Sequence, residues 1–534
     1  MDKALKMGKD LTKGSFHLFV AKIISYVLLA VTAIAIGFFV EDVAYGLYVI
    51  SLVPITTFLL IQELGVGAAL TKYCALYRTD KDNTTLRKII LAGMTFVIVT
   101  GLILTLLSIF MSGFIASTIL GQSELSFLII LGSISILFTG INVASQAIFV
   151  GFERMDFTGI VVISQAAGYF VLSPLLVYLG YGALGLMLGY TFSIGVAGLI
   201  SIVLLYFFIF RKLTPYKQTS SEISKTLKML LRYGIPLAIA GVFSGLFTQF
   251  SSFMMAYYCE VALIGHYKIA LNFAIFMTFL TGPIGTVLFP AFSKLDSVNE
   301  RGLLKSVYSY SIKYTSLFSL PVTVAMIVLS SSIIGTLYGE RWGFSPLFLS
   351  LYVIQYLFIA LGGSTYGTFL RGLGETKILM KLALLTLIIG IPIAFVLIPP
   401  FEIVGLIFTI LFASLPSLLL GIYWIWKHYQ ITVDFTSSAK ILIASTIAGL
   451  ITFLLINAFV AADWIKLITG AVLFFAIYLI SSPLVGSINQ VDINNLRVMF
   501  SGLGILSRLL EIPFRFIEKL LKNNEKLSKL SEQN

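Results

Sequence analysis

The feature that most limits the fold is a succession of apolar runs, most of them about 18 residues or longer and so able to cross the roughly 30 Å hydrocarbon core of a bilayer. They fall at residues 16–40, 43–62, 89–111, 125–150, 158–179, 184–210, 235–258, 266–290, 315–337, 346–369, 380–398, 403–426, 441–461 and 464–482. The reading is an all-α polytopic membrane protein of about 14 transmembrane helices. Only 11% of the 534 residues are charged, less than half the roughly 25% of an ordinary globular domain. No water-facing domain can be built from what remains. The first run, 16–40, is too long for the apolar core of a signal peptide and lacks a small-residue cleavage site, so it reads as a retained span. Short punctuation such as Tyr181-Gly182 and Pro399-Pro400 separates most of the others.

The basic residues test this count, because cytoplasmic loops attract lysine and arginine. With both termini inside, the inner segments hold all 36 basic residues except Lys22, Lys268, Arg341 and Lys466. A miscount by one helix would swap the side of every later loop and erase that bias. This topology puts the only two cysteines, Cys74 and Cys259, on opposite sides of the membrane, so no disulfide framework is expected.

The chain also repeats itself. "GLYVISL" at 46–52 returns as "GHYKIAL" at 265–271, and Leu18, Ala21 and Ser25 return as Leu237, Ala240 and Ser244, all 219 residues later. "FVGFERMDF" after the fourth run corresponds to "FLRGLGETKIL" after the tenth, and Gly168, Pro174 and Gly185 to Gly390, Pro399 and Gly405. Helix two maps onto helix eight, and a shift of six helices keeps the direction through the membrane. The halves are therefore parallel repeats about an axis along the membrane normal, as in transporters whose two lobes rock around a central site.

Charge inside a bilayer is costly, about 2.5 to 3.5 kcal/mol at a helix centre. Lys22 lies about two turns into helix one, where the repeat has Gly241; Lys268 lies near the outer end of helix eight, where the repeat has Val49. A cation present in one copy only suits a ligand that touches both walls. A lysine that merely snorkels to the headgroups needs no ligand. Acidic residues are missing from the middle of every span: Glu63, Glu124, Glu260 and Asp463 fall at ends or in loops. An exporter of cationic drugs driven by protons or sodium would bury a carboxylate, so the pattern favours an anionic or neutral cargo. Asn142, Gln146, Gln165, Gln249, Asn272 and Gln355 supply uncharged polar groups inside the spans. Asn142 with Gln146, and Lys268 with Asn272, are four apart and share a helix face. They suit either interhelical hydrogen bonds or a sugar-compatible cavity.

Enzyme chemistry finds little support. His17, His266 and His428 all lie near span ends, with no acidic partner within a helical turn. The glycines of "ELGVGAAL" at 63–70 lack the spacing and the Lys-Ser/Thr of a phosphate loop, which leaves helix packing or a tight turn. No cofactor, metal site or nucleic-acid partner is expected. In the tail, Arg508, Arg515, Lys519, Lys522, Lys526 and Lys529 alternate with Leu509, Ile512, Phe516, Leu520 and Leu521. This basic amphipathic pattern is expected to lie on the inner leaflet and bind anionic lipid, with Pro513 breaking the helix.

Several segments together resemble the polysaccharide transporter branch, of the O-antigen flippase type, in the multidrug/oligosaccharidyl-lipid/polysaccharide exporter superfamily. They are "ELGVGAALTKYCALYRTDKD" at 63–82, "GHYKIALNF" at 265–273, "FPAFSKL" at 289–295, and "RGLGETKILMKLALL" through "LIPPFEIVGLIF" between 371 and 408. The resemblance covers about residues 10 to 480. It implies a V-shaped bundle with lobes at 1–215 and 216–430, two added helices at 431–483 and a cytoplasmic tail at 484–534. It also implies transbilayer movement of a polyprenyl-phosphate-linked or pyrophosphate-linked oligosaccharide in the cell membrane, with polysaccharide biosynthesis enzymes as further partners. The alternative within the superfamily is a multidrug or cation antiporter. Related lipid II flippases place basic cavity residues on helices one and eight. Lys22 fits the first position; at the second this chain has Asn272, with Lys268 one turn earlier.

Overall fold

The computed structural model describes residues 2–62, 64–80, 82–215, 219–294, 300–458, 460–500 and 511–522, with side chains from Leu18 onward. Glu63, Lys81, Leu295, Arg508, Leu509, Lys526 and Lys529 lie outside these residues, as do the side chains of His17, Leu237, Ala240 and Ser244. All regular structure among the described residues is helical. The helices are α1 (Asp2–Phe39), α2 (Asp42–Gln62), α3 (Val66–Thr79), α4 (Asn83–Phe114), α5 (Leu125–Gly151), α6 (Met155–Leu176), α7 (Gly182–Leu204), α8 (Ser220–Tyr258) and α9 (Val261–Lys294). They continue with α10 (Arg301–Tyr338), α11 (Ser345–Val353), α12 (Tyr366–Gly372), α13 (Thr376–Tyr429), α14 (Phe435–Asn457), α15 (Asp463–Val485), α16 (Gln490–Phe500) and α17 (511–522).

Nine helical stretches among the described residues are long and apolar enough to cross a membrane, and two bent pairs make it eleven. Two of the nine are double. Met155–Lys212 has 58 residues, about 87 Å of helix, nearly three times the bilayer core. It turns back at Gly180 and Gly182, both at positive φ. Thr376–Tyr429 turns back likewise at Glu402. With the apolar α9, these account for fourteen spans. The bent pairs have local causes: Pro236 lies at a 44° break in α8, and Gly362, at φ 89°, ends the 3-10 stretch that separates α11 from α12 by 52°.

The helices group into two compact units, Met1–Ile269 with Thr386–Thr409, and Ala270–Leu385 with Ile410–Asn534. Grouping by packing is a different property from the repeat boundary at about residue 215, which follows the sequence duplication. In the first unit a buried cluster draws Leu70 and Cys74 from α3, Ile89 from α4, Phe149 from α5, Phe157 from α6 and Leu230 from α8. The second unit has its own at Phe292, Tyr308 and Phe369, whose rings meet edge-on at 5.1 and 5.0 Å.

The repeat seen in the sequence is present in the backbone. After α5, the amides of Phe152, Glu153 and Arg154 bond to the carbonyls of Ile148, Val150 and Phe149. After α12, the amides of Leu373, Gly374 and Glu375 bond to Phe369, Arg371 and Leu370, the same three bonds 221 residues later. Glu153 and Gly374 both take the left-handed conformation that closes such a cap, at φ 57° and 78°. The next turn repeats as closely. Gly182 has φ 47° and ψ −126°, and Glu402 has φ 48° and ψ −123°. Three residues on, Gly185 packs on the backbone of Leu176 and Gly405 on that of Leu397.

Glu402 therefore holds a conformation that glycine adopts freely and other residues adopt at a cost of about 1–3 kcal/mol. Its carboxylate accepts the amide of Glu260, 3.1 Å away, just before α9 begins, where a negative group also complements the helix dipole. Glu402→Ala keeps the strain and loses the bond, so it lowers stability by about 1–2 kcal/mol. Glu402→Gly loses the bond but releases the strain, and is expected to be near neutral. Thermal midpoints in detergent test this; a glycine variant no better than the alanine one would show that the strain is absent.

Candidate functional site

In the first unit the start of α2 crosses the start of α9 at a pair of repeat-related glycines. A Cβ on Gly46 would stand 1.9 Å from the carbonyl oxygen of Val261, and one on Gly265 would stand 2.2 Å from that of Asp42. Adding 219 to 46 and 42 gives 265 and 261, so each glycine touches the repeat partner of the residue that touches the other. The crossing has a local pseudo-two-fold axis, and glycine is required on both sides because the two backbones touch. The second turn of each helix keeps a buried tyrosine, Tyr48 and Tyr267.

Charge breaks this symmetry. Asp42, whose repeat partner is Val261, stands 3.8 Å from Nε2 of His266, whose repeat partner is Leu47. His266 is buried rather than interfacial, since the crossing covers it. Its acidic neighbour comes from another helix, 224 residues away in sequence. One turn of α9 carries both His266 and the half-buried Lys268, and Asn272 follows on the same side of the helix, also half-buried.

Lys22 is exposed on α1. Its neighbours Ala21 and Ser25 are buried, and the Ser25 hydroxyl donates to the Ala21 carbonyl, so Lys22 lies off the packed stripe of the helix. Among the described residues no carboxylate pairs with Lys22 or Lys268.

Three of the uncharged candidates are engaged in packing. Gln249 of α8 accepts the hydroxyls of Thr56 and Thr57 on α2, at 3.2 and 3.1 Å. Asn142 of α5 donates to the Ile194 carbonyl on α7 at 3.3 Å, while its own amide oxygen is buried without a hydrogen-bond partner. Gln355, in the 3-10 stretch after α11, donates to the Tyr352 carbonyl at the end of α11 at 3.0 Å. Gln146, one turn beyond Asn142, and Gln165 on α6 are half-buried. The structure thus ties Gln249 to α2 and Asn142 to α7, and it leaves Lys22 open.

Sequence reasoning missed the tyrosines. Tyr48 of α2, Tyr169 of α6 and Tyr190 of α7 converge, with the Tyr48 and Tyr169 hydroxyls 3.3 Å apart and the Tyr48 and Tyr190 rings edge-on at 6.4 Å. The signal was the tyrosine shared by the two heptapeptides. Phenols joined in this way present aromatic faces and hydroxyls together, the pairing that suits an amphipathic, hydroxyl-rich ligand. "ELGVGAAL" holds a turn and a close packing contact. Gly65, at φ 76°, precedes α3, and a Cβ on it would stand 2.1 Å from the Gly234 oxygen of α8.

A family model described as polysaccharide biosynthesis protein matches residues 11–296, more than half of the chain. The chain belongs to this family. This member is similar to the lipid II flippase MurJ of Bacillus subtilis (strain 168), 23% identical over 483 residues, which are 83% of this chain and 88% of the relative. It is also similar to the probable low-salt glycan biosynthesis flippase Agl15 of Haloferax volcanii, 20% identical over 280 residues, 51% of this chain and 57% of the relative. Among solved structures, MurJ in an inward closed conformation superposes with a TM-score of 0.71 at 18% identity, over 88% of this chain and 98% of that one. An inward-facing multidrug resistance MATE transporter of the MOP superfamily superposes with a TM-score of 0.63 at 15% identity, over 76% and 94%. These likenesses establish the fold, that of a multi-pass membrane protein with two six-helix repeats and two further helices.

Proposed function

We propose that this family member is a flippase, not an enzyme, which moves an oligosaccharide linked to a polyprenyl phosphate or pyrophosphate across the cytoplasmic membrane. The product would serve cell-surface polysaccharide or glycoprotein biosynthesis, whose enzymes are natural partners. Both termini lie inside, and residues 1–215 and 216–430 are the moving halves of an alternating-access cycle. The relatives named above, both called flippases, support the substrate class.

The observation that carries the reading is Lys22. A cation in an apolar helix, with no carboxylate paired to it among the described residues, is costly unless water or an anion meets it, and a lipid-linked phosphate is such an anion. Lys268, Asn272, Gln146 and the tyrosine cluster are candidates for the glycan and the second charge. Asn142, Gln249 and Gln355 would contribute through groups left over from packing.

The test is transbilayer movement of a fluorescent polyprenyl-diphosphate oligosaccharide in proteoliposomes. Lys22→Ala is expected to slow it tenfold or more, about the worth of one charge-assisted hydrogen bond, and Lys22→Arg to retain most of it. Equal rates for all three would reduce Lys22 to a headgroup anchor. No movement of any lipid-linked glycan by folded protein would sink the flippase reading.

The second reading, a multidrug or cation antiporter, rests on the fold shared with MATE transporters. Against it, the one buried carboxylate among the described residues is Asp492, on the tail and paired with Lys313. Uptake of a cationic dye driven by a proton or sodium gradient would revive it.

A further inference from the structure

The tail does not lie free. α16 and α17 form a hairpin whose inner side, including Ile493, Leu496, Phe514 and Ile517, packs on Tyr314 and Leu317 of α10 and Ile441 of α14. The described helix, 511–522, has Pro513 in its first turn, where the fixed φ of proline fits and its missing amide donor costs little. Arg497 of α16 binds both acids of α17, Glu511 at 2.9 Å and Glu518 at 2.7 Å. These bonds from the guanidinium, joined at Glu511 by Arg515 at 3.3 Å, hold both carboxyls below their usual range, so Arg497 and Arg515 together match the two acids.

What remains is one-sided. The outward face of α17 carries Ile512, 70% exposed, with Arg515, Phe516, Lys519 and Lys522, all exposed. Spacings of three and four put them in one stripe. The hairpin follows directly on the end of α15 at Val485 and packs near the start of α14, so it sits where these spans end. Two apolar side chains beside Lys519 and Lys522, which form no ion pair among the described residues, and beside the exposed Arg515, held at that level, complement headgroups above acyl chains.

We propose that the outward face of α17 binds the anionic phospholipid surface of the membrane in which the protein resides, so that the hairpin clasps α10 on one side and lipid on the other. This does not depend on the cargo. The test is hydrogen exchange of the full chain in nanodiscs, with purely zwitterionic lipid against lipid containing about one-third phosphatidylglycerol. Anionic lipid is expected to slow exchange in α17 about tenfold. Arg515→Gln/Lys519→Gln/Lys522→Gln is expected to abolish that difference while α16 stays protected, which shows that the hairpin remains docked. Equal exchange of α17 in both lipids overturns the proposal, as does a lipid effect that survives the triple substitution. Equal slowing by soluble polyphosphate in zwitterionic discs also overturns it, and would give the face to a soluble polyanion.

Discussion

Gly46→Leu is expected to abolish most of the folded protein, and Gly265→Leu to do the same. Overpacking costs about 1–3 kcal/mol where side chains can move aside. Here the new Cβ meets a carbonyl oxygen, of Val261 in one case and of Asp42 in the other. Backbone in the first turn of a helix yields only if the helix moves, so the cost should reach at least about 3 kcal/mol, a large part of a typical stability. Gly113→Ala is the control. Nothing lies within 4 Å of a Cβ there, and alanine inside a helix gains about 0.5–1 kcal/mol over glycine. The monodisperse fraction after detergent extraction and the thermal midpoint measure both. Normal yield and midpoint for Gly46→Leu would mean that α2 and α9 do not touch as described.

The second large effect concerns the ion pair that fastens the tail. Asp492 is 2% exposed and its carboxylate takes Lys313 Nζ at 2.7 Å and the Asn489 amide at 2.9 Å. Asn489 returns a bond to the Asp492 amide, a reciprocal cap that starts α16. Removing one charge strands the other. Lys313→Met or Asp492→Leu should each weaken docking by about 3–5 kcal/mol, whereas the double substitution should recover much of that loss, because a buried pair replaced by apolar groups is often close to neutral. Protease susceptibility of the tail distinguishes the outcomes. Single variants should be cut rapidly and the double variant slowly. Additive losses would show that the two charges do not interact.

The spans were legible because a bilayer demands a fixed length of apolar sequence, and the repeat because it survived where backbone touches backbone or turns at positive φ. Gly46, Gly265, Gly185 and Gly405 are such places, since no other side chain can replace them. Even there the letters drifted. Glu402 stands where its repeat has Gly182, and Glu153 where its repeat has Gly374. The backbone shows two pairs of equivalent turns, and in each pair the sequence has one glycine and one glutamate.

The candidate site was less legible, because polar residues inside spans look alike whether they hold a neighbour or await a ligand. Gln249 is held by Thr56 and Thr57 and Asn142 reaches Ile194, contacts set by helix rotation that no spacing reveals. His266 had no acidic residue nearby in sequence because Asp42 arrives through the fold. The basic amphipathic spacing of the tail pointed to the inner leaflet and said nothing of where its acids go. Asp492 turns inward to Lys313, and Glu511 and Glu518 turn to Arg497 of the neighbouring helix.

The glycine crossing has a mechanical consequence. Most helix pairs interlock through ridges and grooves, and a change of angle must lift one set of side chains out of the other. Gly46 and Gly265 raise no ridge of their own, and each bears chiefly on the backbone of the other helix. Such a joint resists being pulled apart but offers little friction to rotation. The chain has thus placed a bearing where Gly46 and Gly265 bring α2 and α9 together, with the Asp42 carboxylate 3.8 Å from the His266 ring beside it.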